Sequence, residues 1–360
     1  MWIERRKTKT IYVGDVPIGE KHPIVVQSMT NTFTENIGDT VSQIKELEKV
    51  GCEIIRVAVP TKKATENIKD IKSKITIPLI ADIHFDYKLA ILSMEMGADG
   101  IRINPGNIGS REKVKEIIKA AREHNIPIRI GVNTGSLPKE ILSKYTHPTA
   151  EAVAETALNY MKFFEDEDFT NMKFSLKGSD IKTTIISNEI FAKKNRYPIH
   201  IGITEAGTVL SGAVKSATGI GILLYKGIGD TLRVSLSSHP KIEIKVAFKM
   251  LSSMELRKVG VDIISCPTCG RCVVNLPKLA LEVEDALEHI KAPVTVAVMG
   301  CAVNGPGEAA FADTGIAATN ETFLLFSRGK IIGKYAEKEA MSKLIKEVER
   351  IAVEKSNNIY

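Results

Sequence analysis

Val50-Gly-Cys-Glu-Ile-Ile-Arg56 and Met96-Gly-Ala-Asp-Gly-Ile-Arg102 are two copies of one junction. In each, a helix ends at a glycine, an acidic residue follows, and a strand rich in isoleucine runs to an arginine. Glycine just past a helix is the residue that turns the chain at least cost. The same alternation of apolar strand, polar loop and amphipathic helix extends outward in both directions. It places strands at Ile24–Met29, Glu53–Val59, Pro78–His84, Gly100–Pro105, Pro127–Asn133, Met172–Gly178, Ile199–Glu205 and Thr231–Ser237. Continuous apolar strands alternating with helices predict a parallel sheet covered by helices.

Eight such units over about 230 residues match a (β/α)8 barrel. An open doubly wound sheet is the other arrangement of these units, but no Gly-rich dinucleotide fingerprint follows the first strand. Residues 8–18 read as a small hairpin leading into the barrel. Val261–Ser265 looks like one more barrel strand, yet eight already close a barrel, so it opens a second domain. The boundary is placed near Arg257–Gly260, giving a barrel over 1–257 and a small α+β domain over 258–360. That domain is expected to contain a helix at about Leu276–His289 and strands Val294–Met299, Gly315–Ala318, Thr322–Phe326 and Ile331–Tyr335. A final helix starts near Lys338. The fold class is therefore α/β: a TIM-type barrel followed by a small α+β domain.

Four of the five cysteines fall in two turns of this second domain, Cys266-Pro-Thr-Cys-Gly-Arg-Cys272 and Gly300-Cys-Ala-Val-Asn-Gly-Pro-Gly-Glu308. A C-x-x-C turn points two thiols the same way, and Cys301 follows after room for one helix and one strand. This spacing predicts a metal or cluster site whose fourth ligand stays open. Cys272 would give an all-cysteine set of ligands close to the bacterial ferredoxin run. Glu308 would give an oxygen, and a structural zinc held by the cysteines alone is the third reading.

In such a barrel the chemistry gathers at the C-terminal strand ends. Those ends carry Arg56, Arg102, Arg129, Lys177 and Arg233. Five cations at one mouth repel one another unless an anion receives them, and guanidinium forks suit a diphosphate. Ser235 and Ser237 can add hydroxyl donors. Asp82, His84, Asn104, Asn133 and Glu205 are candidate partners for substrate hydroxyls, with His84 or Glu205 as proton donor. Cys52 reads as a small apolar filler.

Composition narrows the class. The 360 residues are 44% hydrophobic with a net charge of +6, which suits a globular protein with an anionic ligand or acidic partner. No basic tract interleaved with aromatics points to nucleic acid. No apolar run reaches the roughly 18 residues of a membrane span. The charged start, without an apolar stretch behind it, is not read as a signal peptide. A reducing cytoplasm is the expected location.

Ser265-Cys-Pro-Thr-Cys-Gly-Arg271, Met299-Gly-Cys-Ala-Val-Asn-Gly-Pro-Gly-Glu308 and Val26-Gln-Ser-Met-Thr-Asn-Thr32 together resemble the 4-hydroxy-3-methylbut-2-enyl diphosphate synthase family, in its two-domain bacterial form. The resemblance spans both domains. It implies a [4Fe–4S] cluster held by Cys266, Cys269, Cys301 and Glu308, with 2-C-methyl-D-erythritol 2,4-cyclodiphosphate held by the barrel cations. It also implies electrons from a ferredoxin or flavodoxin. Cys272 departs from the family pattern and competes with Glu308 by spacing; Glu308 is favoured because a carboxylate ligand to iron yields its place more readily. A pteroate-type transferase with a structural zinc domain, and an iron–sulfur electron carrier, are the rival readings. The last barrel helix, expected at about Ile242–Arg257, carries the chain away from the mouth. A head-to-tail homodimer, in which each cysteine domain closes its partner's barrel, is the expected assembly.

Overall fold

The computed structural model describes residues 2–357 apart from 179 and 304–310. It divides into two compact units, Met1–Arg257 and Lys258–Tyr360.

The first unit opens with a hairpin, β1 (Ile11–Val13) and β2 (Val16–Ile18), turned at Gly14 with φ of 58°. Eight parallel strands follow: β3 (Val25–Met29), β4 (Ile54–Ala58), β5 (Leu79–Asp82), β6 (Gly100–Ile103), β7 (Ile128–Asn133), β8 (Met172–Lys177), β9 (His200–Ile201) and β10 (Thr231–Leu232). Their order is β8-β7-β6-β5-β4-β3-β10-β9. A parallel bridge from Phe174 to Ile199 joins β8 to β9 and completes the ring.

Alternation decides which residues face the helices. In β8, Met172, Phe174 and Leu176 join the large core, where Phe174 meets Phe191 at 4.7 Å between ring centroids. Lys173, Ser175 and Lys177 lie on the opposite face, toward the barrel interior. The lower end of the barrel is stoppered by apolar contacts: Ile11, Val13 and Ile18 of the hairpin pack on Val25, Ile54 and Ile80. The interior above them is polar.

Two strands are shorter than the sequence pattern predicts. The ladder stops at Ile201 and Leu232, although apolar residues run on to Ile203 and Val234. Glu205 (φ 55°) and Gly207 (φ 103°) turn the chain out of the extended region, and Ser237 then donates its N–H to the Gly207 carbonyl, loop to loop. The last barrel helix, Pro240–Ser253, also ends before Arg257. Glu255, in the left-handed region, lets its own N–H reach Ser252 and that of Leu256 reach Leu251, a Schellman ending. Arg257 is freed to bond the Ile24 carbonyl and Glu53.

The second unit is a five-stranded sheet in chain order: β11 (Val261–Ser265), β12 (Val294–Met299), β13 (Thr314–Ala318), β14 (Phe323–Ser327) and β15 (Lys330–Tyr335). β11, β12 and β13 run parallel and the remainder antiparallel. Helices Leu276–Ala286 and Glu337–Asn357 seal one face through Val283, Leu344, Val348 and Ile351 against Val296, Val298 and Ile316. Because β11 and β12 are parallel neighbours, Cys266 and Gly300-Cys301 leave the sheet side by side at its C-terminal edge. Among the described residues no helix is long and apolar enough to cross a membrane.

Candidate active site

Asp82 is the hinge of the barrel's polar interior. Its Oδ1 accepts from Arg102 Nη1 at 3.1 Å, and its Oδ2 lies 3.5 Å from Arg56 Nε and 3.7 Å from His84 Nε2. Burial would raise its pKa, but Arg56, then Arg102 and Arg129, outweigh burial and hold the carboxyl at about 2. Arg233 pairs with Glu243 of the helix Pro240–Ser253, at 3.2 Å. Burial draws Arg56 down to about 10. Burial, followed by the charges of Arg56, Arg129, Arg233 and Arg102, pulls Lys177 well below its ordinary value.

All five expected cations therefore share one interior, but they do not form a single rim. Arg129 is 2% exposed and sits beside Lys173 in the β7–β8 register, whereas Lys177 sits beside Asn133 four residues higher. Asn104 is buried and committed to the fold: its Oδ1 caps the N–H of Gly106 and its Nδ2 donates to Ser136. Asn133 is half-buried at the end of β7, and Ser235 is half-buried in the loop after β10, with Ser237 exposed beyond it. His84 and Glu205 are exposed in the loops after β5 and β9. Cys52 is a buried filler whose thiol burial pushes up to about 12.

Sequence reasoning missed Lys173, His200, Gln27 and Glu243. Lys173 and Gln27 are 1% exposed and His200 is fully buried. Lys173 Nζ, His200 Nε2 and both amide atoms of Gln27 have no hydrogen-bond partner among the described residues. The signal was present in β8, where apolar and polar residues alternate along Met-Lys-Phe-Ser-Leu-Lys. Six basic side chains (Arg56, Arg102, Arg129, Lys173, Lys177, Arg233) face three carboxylates (Asp82, Glu243, Asp230), an excess of basic groups.

In the second unit Cys266, Cys269, Cys272 and Cys301 line one cavity of about 220 Å³ together with Pro267, Arg271 and Gly300. The thiols line walls rather than converge on a point, and no three His, Cys, Asp or Glu among the described residues are placed to hold one metal ion. Gly300 N–H donates to Cys266 Sγ at 3.5 Å. The backbone N–H of Arg271, then its guanidinium, lowers the pKa of Cys269, which is exposed. Cys272 Sγ donates to the Val274 carbonyl at 3.2 Å. Amide donation to sulfur and a thiolate-favouring neighbour are what iron–sulfur ligation uses, so this donor set fits such a group. Glu308 lies outside the described residues.

The fold and these features define a (β/α)8-barrel enzyme with a cation-rich interior and an appended thiol-rich domain. The family described as "GcpE TIM-barrel domain" matches residues 8–248, and "GcpE protein C-terminal domain" matches 262–350. A relative from Thermodesulfovibrio yellowstonii, 4-hydroxy-3-methylbut-2-en-1-yl diphosphate synthase (flavodoxin), is 53% identical over 97% of this chain and 100% of its own length. The Geobacter sulfurreducens protein of the same name is 54% identical over 98% and 99%. Among solved structures, dihydropteroate synthase from Stenotrophomonas maltophilia aligns with a TM-score of 0.50 at 12% identity, over 69% of this chain and 98% of that one, a likeness of fold alone. The chain belongs to the GcpE family.

Proposed function

We propose that this protein converts 2-C-methyl-D-erythritol 2,4-cyclodiphosphate to 4-hydroxy-3-methylbut-2-enyl diphosphate, taking electrons from reduced flavodoxin or ferredoxin. The observation that carries the reading is the cationic barrel interior joined in one chain to a four-thiol cavity. The full-length match to relatives of that name supports it. The pteroate-type alternative has only the barrel fold in its favour, and a simple electron carrier would have no use for a cationic barrel.

The substrate's diphosphate is received by Arg56, Arg102, Arg129, Lys177 and Arg233. Guanidinium forks fix its oxygens, and their charge stabilises the phosphate oxygen released as the ring's C–O bond breaks. Asp82 holds Arg56 and Arg102 in place, while Ser235 and Asn133 orient the substrate's polar groups and Asn104 stays engaged with Gly106 and Ser136. His84 or Glu205 delivers the proton with which the hydroxyl leaves as water, so that two electrons and one proton balance one ring opening and one dehydration while the released phosphate oxygen stays ionised. Cys266, Cys269, Cys301 and Glu308 would hold a [4Fe–4S] cluster, which when bound supplies single-electron reduction of the substrate. Cys272 packs beside them without a ligand role. The active unit is a homodimer in which each barrel is served by its partner's thiol domain, supported by a last barrel helix that runs back from the mouth.

The test is anaerobic turnover of the cyclic diphosphate by iron-loaded full-length protein with reduced flavodoxin. Formation of the linear diphosphate is expected. Brown, iron-replete protein that leaves the substrate unchanged would overturn the assignment.

A further inference from the structure

We propose that the barrel holds a second anion site, for a small monovalent inorganic anion such as chloride, between Lys173 and His200 beside Arg129, the deepest of the mouth cations. Lys173 lies four residues below Lys177 on β8, roughly 13 Å deeper along the strand, and its Cα pairs in register with that of Arg129. Lys173 Nζ, Arg129 Nε and Nη1, and His200 Nε2 are all buried without a partner among the described residues. The Phe174–Ile199 bridge sets His200 on the strand beside that of Lys173, and because Phe174 and Ile199 face the helix-side core, both Lys173 and His200 face inward.

The chemistry of these groups selects the occupant. Arginine and protonated lysine only donate. Thr231 lies 2.8 Å from His200 Nδ1, and with its hydroxyl donating there the neutral ring presents Nε2–H as another donor. The nearest carboxylates are engaged elsewhere: Asp82 by Arg56 and Arg102, and Asp230 by Arg5, Thr8 and the Ile199 N–H. A water accepting from these donors would still have two protons to place. A monovalent anion accepts from every donor, places no proton, and offsets charge that would otherwise stand buried and uncompensated.

Crystals of the full-length protein grown anaerobically and soaked in sodium bromide provide the test. An anomalous bromine peak is expected within hydrogen-bonding distance of Lys173 Nζ and His200 Nε2, and it should persist when inorganic pyrophosphate fills the mouth. In solution, chloride should raise the melting temperature relative to gluconate at equal ionic strength. Lys173→Met should abolish both the peak and the halide dependence, and should melt above wild type in gluconate. No peak at that depth, a peak displaced by pyrophosphate, or an unchanged halide dependence in Lys173→Met would each overturn the proposal.

Discussion

At the scale of single residues, the barrel interior is governed by one acid and one base whose pKa values are both displaced downward, with opposite consequences. Asp82 is held at about 2, below its ordinary 3.8, so the stability it contributes is complete above about pH 4 and is lost as pH falls through 2. Lys173 is drawn to about 7 from 10.5, by burial first and Arg129 second, with Asp230 opposing. Its folded form releases the proton first, so between these values the unfolded chain binds more protons and stability rises with pH. In halide-free buffer, denaturant titrations should show a gain of up to about 3 kcal/mol from pH 7 to pH 9. Lys173→Met should flatten that gain. A pH-independent wild type would remove the case for a strained lysine. Asp82→Asn should cost about 3 kcal/mol in the same titration, because it leaves two buried guanidiniums without their shared counter-ion. Its kinetic signature should be a fall in kcat without a rise in KM, since the lost carboxylate repels the diphosphate while it aligns the arginines. A raised KM with normal kcat would show instead that Asp82 acts in binding.

The elements carry the site by where they stop. β11 and β12 end side by side, and Gly300 is the point where the second thiol turn leaves the sheet. A Cβ at Gly300 would lie 2.5 Å from Cys272 Sγ and 3.3 Å from Leu276 Cδ2, so the turn closes only because there is none. Gly300→Ala should lower iron incorporation several-fold, read by iron and sulfide content and by the brown absorption. Cys272→Ala should be tolerated alone and should restore incorporation when combined with Gly300→Ala, a coupling expected of side chains in contact. If Cys272→Ala by itself empties the site, Cys272 is a ligand and Glu308 is not the fourth.

The same elements show what the sequence can and cannot reveal. β11 and β12 match their expected limits to the residue, because short apolar runs between Gly or Pro and a cysteine turn leave little freedom. The expected limits of β9 and β10 overran, since Ile203 and Val234 keep the apolar pattern after the ladder has stopped at Ile201 and Leu232. Lys177 and Arg233, at or just past strand ends, were legible through the barrel rule, whereas Arg129, expected there too, is the second residue of β7. The deeper Lys173 and His200 were not, because burying an unpaired cation is improbable from composition alone and only the closed ring shows that they face inward.

At the scale of the whole molecule, the proposal that each barrel works with its partner's thiol domain can be decided by mixing two inactive proteins. Arg102→Ala damages a barrel and leaves the cysteines intact. Cys266→Ala removes a thiol and leaves the barrel intact. If one chain supplied both halves of its own site, every site in a mixed population would carry one lesion or the other, and activity would stay absent. If the halves come from different chains, a mixed dimer pairs the two damaged halves at one site and the two intact halves at the other. After random exchange about half of the dimers are mixed, and one of the two sites in each is whole, so about a quarter of wild-type activity should return. The recovered activity should follow the mixed dimer on dilution and vanish with dissociation. Activity that never rises above either parent, in a mixture shown by differential tagging to contain mixed dimers, would place both halves of the site in one chain.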